Sequence, residues 1–257
     1  MHGLASNATR WWRLPRAFGG WQLVTPELRG HAGSADRGRI DVERWCDDLV
    51  ATLDAAGCER AVVGGHCLGA NIALHFAARH PQRAAGLILI EPMPREALIG
   101  GMRTLLRLRF LVRLAALAAR CGNALGLKRG RVGNVDLHQW DLAAASGARA
   151  LASFASPLSD LRHTPSAAYF QGVLGVLEPL PPAAAIRCPA LVLLARESRM
   201  TDAALTRAAM AELKDVEIRE LPARHWIPTE QPEAMRAALE DWLARQAPGT
   251  APAGPRP

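Results

Sequence analysis

The stretch GGHCLGANIALHF, Gly64 to Phe76, sets a cysteine between two glycines, as Gly65-His66-Cys67-Leu68-Gly69. An apolar run ending in AVVGG leads into it and a helical pattern, NIALHFAARHP, leads out. A G-x-nucleophile-x-G turn between strand and helix forces its central residue into a strained backbone and projects that side chain above the sheet. The glycines on either side remove Cβ atoms that would strike the neighbouring elements. A helix N-terminus lowers a thiol pKa, so Cys67 reads as an exposed, reactive nucleophile for covalent catalysis. Cysteine is also among the most buried residue types and often acts as a small hydrophobe. Cys46, Cys58, Cys121 and Cys188 lack the turn context and take that second reading.

Such a turn needs a sheet beneath it. Trp21 to Pro26, Arg60 to Gly65, Gly86 to Glu91, Ala190 to Ala195 and Val216 to Leu221 are the strand candidates. All but the last are near-continuously apolar, as parallel strands covered on both faces should be. Between them, IDVERWCDDLVATLDAAG sets Val42, Trp45, Leu49 and Leu53 on one helical face and stops at Gly57. The alternation predicts an α/β fold, a mostly parallel central sheet with helices on both faces. From Pro92 to Pro189 the rhythm breaks into helical patterns, first the basic stretch REALIGGMRTLLRLRFLVRLAALAARCG, then a polar part with His138, Trp140 and Asp141. The predicted organisation is a core of residues 1–92 and 189–246, a helical cap of 93–188 inserted between two strands, and a Pro/Gly/Ala-rich disordered tail, 247–257.

Composition narrows the function classes. With 257 residues and 49% hydrophobic content, one large domain is expected. No apolar run reaches the length of a membrane span, and the N-terminus has no secretory pattern. Five scattered cysteines with no ligand spacing argue against a disulfide framework and a zinc site, so a reduced, cytoplasmic protein without metal or cofactor is expected. The net charge is +7, and Arg95 to Glu178 holds eleven Lys or Arg against five Asp or Glu. No nucleic-acid recognition motif accompanies that charge, and aromatic residues are 5% of the chain, so nucleic-acid binding is not expected.

Taken together, these segments resemble the α/β-hydrolase superfamily over nearly the whole chain. HGLASNATRWW looks like its oxyanion-loop segment, and LVTPELRGHAGSADRG like its D-x-R-G-H-G-x-S turn, with Glu27 for Asp and Ala32 for Gly. ELPARHWIPTEQPEAMRAALEDWL resembles the segment of the catalytic histidine, with Glu230 and Pro232 at the family spacing and Arg224 where glycine is usual. The resemblance implies Cys67 as nucleophile, His225 as general base, and the backbone N–H groups of Leu68 and Leu4 as oxyanion hole. The superfamily usually places its acid in a G-x-x-D turn after the strand before last, where this chain has Ser198. Two carboxylates remain as the group that orients His225. Glu197 lies one residue early, and Glu91 ends the strand LILIE, where some members, certain haloalkane dehalogenases among them, carry their acid; of the two, Glu91 is favoured as the group that holds the histidine's tautomer. The HG pair normally follows some thirty to fifty residues of the family's first strands, and here it is His2-Gly3. The true start is therefore expected upstream of Met1.

A G-x-C-x-G turn also resembles that of dienelactone hydrolases and polyhydroxyalkanoate synthases. The resemblance implies a hydrolase or acyltransferase acting on a small ester or thioester through an acyl-Cys67 intermediate. An aspartate nucleophile is absent, which argues against epoxide hydrolase or dehalogenase chemistry. Arg103, Arg107, Arg109 and Arg113 lie among leucines in the cap, which suits an anionic substrate or contact with a membrane surface, although a solvated arginine face fits as well. His138 and His163 lie in the cap and are expected in solvent, while His31, His66, His75 and His80 are read as structural. The rival reading is a non-catalytic relative in which the fold serves binding.

Overall fold

The computed structural model describes residues 1–14, 17–18, 20–36, 38–127 and 157–246. From the N-terminus a short antiparallel pair, β1 (Ala17–Phe18) and β2 (Trp21–Gln22), precedes helix α1 (Val42–Ala55). The main sheet is four parallel strands in the order β3 (Ala61–His66), β4 (Ala84–Ile90), β5 (Ala190–Ala195), β6 (Val216–Leu221). The central β5 is buried at every residue, whereas β6, the outer strand that carries Glu217 and Arg219, is half-buried throughout. Its less apolar sequence is that of a sheet edge.

The reading of Trp21 to Pro26 as a strand needs correction. Only Trp21 and Gln22 form a strand, and they pair with β1 outside the main sheet. Leu23, Val24 and Pro26 instead line an apolar cavity of about 190 Å³ against Val62 and Gly64 of β3. An apolar run becomes a strand only if a neighbour takes its backbone hydrogen bonds, and composition cannot supply the neighbour. On that side of β3, Met1 is the pairing residue. Its carbonyl accepts from His66 N at 3.2 Å and its ammonium donates to Gly64 O at 2.6 Å. Burial pulls that ammonium down to about 5.

Helix α1 is capped by Asp41, whose carboxylate accepts from Arg44 N at 3.0 Å, and it ends at Gly57 with φ +65°. Its face of Val42, Trp45 and Leu49 is buried, with Leu53 half-buried. Helix α2 (Leu68–Arg79) follows β3 directly and is buried from Leu68 to Ala77, between the sheet and its neighbouring helices. Between β4 and β5 lie α3 (Gly100–Arg107), α4 (Arg109–Ala124), α5 (Pro157–His163) and α6 (Ser166–Val176). The basic stretch from Arg95 is thus broken at Leu108, which leaves the helical backbone at φ −95°, ψ 19°. The break lets α3 face the sheet's carboxyl edge with Met102 and Leu105 while α4 packs Val112 and Ala116 toward α6. Helix α7 (Ala203–Ala211) follows β5, and α8 (Ile227–Glu230) and α9 (Pro232–Arg245) close the chain. His138, Trp140, Asp141 and the tail 247–257 lie outside the described residues.

Candidate active site

The elbow has the geometry its glycines require. Cys67 sits at φ 54°, ψ −115°, a region that non-glycine residues rarely occupy. A Cβ at Gly65 would lie 2.4 Å from the Gly69 carbonyl carbon, and one at Gly69 would lie 2.7 Å from the carbonyl oxygens of Met1 and His2. Strand, turn and helix therefore touch through bare backbone. The Cys67 N–H donates to Ile90 O at 2.9 Å, and its carbonyl accepts from Ala70 N and Asn71 N at the start of α2. Cys67 is 9% exposed rather than open to solvent, because Met93 covers it, with Sδ 3.2 Å from Cys67 Sγ. Its access is an internal cavity of about 620 Å³ lined by Leu4, Cys67, Met102, Leu105, Val173, His225 and Trp226.

Across this cavity His225, 3% exposed, follows β6. His66 Nε2 donates to the His225 carbonyl at 2.9 Å, so the residue before the nucleophile holds the histidine's backbone. Glu230 accepts from the N–H groups of Arg224 and Trp226, each at 3.1 Å, and pairs with the Arg224 guanidinium at 3.0 Å. That clamp explains the spacing of Glu230 and the tolerance of Arg224 where glycine is usual.

Of the two candidate carboxylates, the structure brings Glu91 to His225 and leaves Glu197 exposed on the turn after β5. Glu91, 1% exposed and at φ 50°, turns off the end of β4. Its Oε1 accepts from Ala195 N at 2.6 Å, and its Oε2 accepts from Ser198 Oγ at 2.8 Å and faces His225 Nδ1 at 3.1 Å. The remaining imidazole nitrogen, Nε2, is the one left for Cys67. Burial disfavours the imidazolium, but hydrogen bonds to Cys67 and Glu91 and their negative charge outweigh it, raising His225 to about 10. His66 moves the other way, held well below its ordinary value by burial and by the charge of His225.

The N–H groups of Leu4 and Leu68 have no hydrogen-bond partner among the described residues. Leu68 opens α2, where first-turn donors lack intrahelical acceptors. Leu4 is carried by a loop pinned through His2, whose Nδ1 bonds Gly3 O at 2.9 Å while Nε2 accepts from Leu28 N at 3.1 Å. The Ala5 N–H donates to His31 Nε2 at 3.3 Å.

Sequence reasoning missed several residues of the site. Ser198 stood at the usual acid position and instead donates to the carboxylate that meets His225. His163, expected in solvent, is half-buried and lines the cavity, as does Asp160, which burial pushes up to about 7. Arg10 is buried there and donates to Thr229 Oγ1 at 2.5 Å. Among the other thiols, Cys121 is exposed and Cys58 and Cys188 are half-buried, so only Cys46 is the buried hydrophobe expected of all four. Among the described residues no group of three His, Cys, Asp or Glu side chains could hold a metal ion, and no helix is long and apolar enough to cross a membrane.

The family model described as "Alpha/beta hydrolase family" matches residues 1–238. Among curated relatives, the lipase LipV of Mycobacterium tuberculosis is 32% identical over 92 residues, 36% of this chain and 35% of its own length. The pimeloyl-[acyl-carrier protein] methyl ester esterase of Aromatoleum aromaticum is 38% identical over 95 residues, 37% of this chain and 36% of its own. The matched stretch thus spans about a third of these relatives. A thermophilic esterase from Thermogutta terrifontis superposes with a TM-score of 0.68 over 95% of this chain and 88% of its own, at 21% identity, a likeness of fold. With the model matching most of its length, the chain belongs to the alpha/beta hydrolase family.

Proposed function

We propose that this chain hydrolyses a carboxylic ester or thioester through an acyl-Cys67 intermediate. The observation that carries the reading is the position of His225, which faces Glu91 through Nδ1 at 3.1 Å and shares one cavity with Cys67. An imidazole so placed can take the thiol proton as the sulfur attacks and return it to the leaving group. In the first step Cys67 Sγ attacks the carbonyl carbon and the oxyanion takes the Leu4 and Leu68 N–H groups, each such donor worth about 3 kcal/mol. Collapse breaks the carbonyl C–O or C–S bond, and the leaving group takes the proton from His225. A water molecule then attacks the acyl carbon and gives its proton to His225. Cleavage of the C–S bond releases the acid, and the sulfur regains its proton from His225.

The apolar lining from Leu4, Met93, Met102, Leu105, Val173 and Val176 suits a hydrocarbon acyl group. A thiol nucleophile also suits transfer of the acyl group to an acceptor other than water. The lipase and esterase names of the matched relatives agree with ester chemistry.

The test is incubation with p-nitrophenyl acetate, followed by mass spectrometry of the quenched protein. An acetyl group on Cys67, absent in Cys67→Ala, is expected. A protein that releases no nitrophenol and carries no acetyl at Cys67 would be the non-catalytic binding relative instead.

A further inference from the structure

A second cavity, of about 490 Å³, lies on the opposite side of α6 from the Cys67 cavity. The helix separates them, with Tyr169, Val173 and Val176 facing the Cys67 cavity and Gln171, Leu174 and Gly175 facing the other. Arg39, Arg79, Arg95, Arg109, Arg113 and Arg120 line this second space, against Asp41, Glu43 and Glu178.

Three of the arginines are already answered. Arg39 pairs with Asp41 at 2.8 Å and Arg79 with Glu43 at 3.3 Å. Arg95 donates to Leu177 O at the end of α6 and feels the charge of Glu178. Arg109, Arg113 and Arg120 have no carboxylate partner among the described residues. They recur at one face of α4, four and seven residues apart along the chain. Arg109 and Arg113 are exposed on α4 and Arg120 is half-buried, and burial, with the charge of Arg109 and Arg113, lowers the proton affinity of Arg95 beside them.

We infer that this cavity is a binding site for a phosphate-bearing anion of two or more negative charges, held by Arg109, Arg113 and Arg120. Guanidinium forks match phosphate oxygens two at a time, and a partly enclosed cavity strengthens each such bond. A single carboxylate would leave most of that charge unanswered. The phosphate could arrive as a free anion or as the phosphorylated end of a larger molecule, and both present the same oxygens.

The probe is inorganic pyrophosphate, titrated calorimetrically into the intact protein at fixed ionic strength, with NaCl as the control. Saturable binding is expected, weaker by about tenfold or more in Arg109→Gln/Arg113→Gln, and unchanged in Arg236→Gln, which removes a charge from the distant α9. Circular dichroism checks that the double variant folds. Two results overturn the site: heat no greater than that of the matched salt, or equal affinity in the double variant. A second arm identifies the source. If pyrophosphate alters p-nitrophenyl acetate turnover, a free anion acts across α6. If it leaves that turnover alone and displaces coenzyme A from the protein, the phosphate arrives on a carrier. The titration needs no turnover, so its outcome is independent of acylation at Cys67.

Discussion

Ser198 Oγ donates to Glu91 Oε2 at 2.8 Å, and that same oxygen faces His225 Nδ1 at 3.1 Å. The side chain at the family's usual acid position has thus become the support of an acid that reaches the same histidine from the neighbouring strand. The Ala195 N–H on the other carboxylate oxygen fixes the remaining rotation. Glu91→Gln should keep the shape and lose the charge, lowering kcat by about 10³-fold or more. Ser198→Ala should cost about tenfold, the scale of one charge-assisted hydrogen bond. Glu197→Gln, on an exposed side chain, should leave kcat within about twofold. Nitrophenol release by the three variants under saturating ester checks the ranking, and a larger loss for Glu197→Gln than for Glu91→Gln would reverse the assignment.

The raised His225 also predicts how stability follows pH. Its proton is held more tightly in the folded chain than in the unfolded one. The resulting stabilisation is fully present below the ordinary value of 6.5 and is lost as pH rises through about 10. His31 and His75, both lowered to about 4 by burial, act in the opposite sense. They must be neutral to stay buried, so their contribution is present above 6.5 and lost as pH falls toward 4. Unfolding free energies from urea titrations should therefore peak near neutrality and decline on both sides, by up to ~1.4 kcal/mol per pH unit for each group titrating. In Glu91→Gln the alkaline decline should flatten while the acid decline stays. An alkaline limb unchanged in that variant would detach the shift from the Glu91 contact.

Much of this site was legible because its parts obey local rules. The elbow announces itself through Gly65 and Gly69, since no other residue survives contacts of 2.4 to 2.7 Å at those Cβ positions. Apolar continuity marked β3, β4 and β5, while the charged residues of β6 set it apart and only the strand order shows it at an edge. Glu91 could be placed at a strand end and favoured over Glu197 on reach, but Glu197 stayed a candidate because the contact depends on φ 50° at Glu91, where the chain turns off β4. The same limit hid Ser198 and His163, whose importance lies in what other segments bring to them. Trp21 to Pro26 failed for a related reason, as pairing is a property of two segments.

The thiol itself makes a prediction distinct from acylation. Cys67 is 9% exposed beside Met93, whereas Cys121 is exposed on α4. By access alone Cys121 should be alkylated first. As the proposed nucleophile at a helix N-terminus, sharing a cavity with His225, Cys67 should lead instead. Limited iodoacetamide followed by peptide mapping is expected to label Cys67 ahead of Cys121, and His225→Gln should invert that order. Labelling that follows exposure in both proteins would argue for an ordinary buried thiol.

Gly69 offers a test of the elbow that leaves every reactive side chain in place. A Cβ there would lie 2.7 Å from the Met1 and His2 carbonyl oxygens, both backbone atoms that cannot rotate away. Relief must come from moving α2 off the loop that carries Leu4, or from moving that loop. Overpacking of this kind costs about 1 to 3 kcal/mol. Because the displaced loop holds one of the proposed oxyanion donors, Gly69→Ala should also lower kcat, by about 10². Gly122, whose Cβ would meet nothing nearer than 3.9 Å, serves as the control on α4, outside the lining of the Cys67 cavity. Gly122→Ala should keep both stability and turnover, or gain slightly in stability from better helix propensity. Thermal melts and ester turnover on the two variants separate the cases: a Gly69→Ala protein as active as its parent would remove Leu4 from the oxyanion hole, whatever its stability.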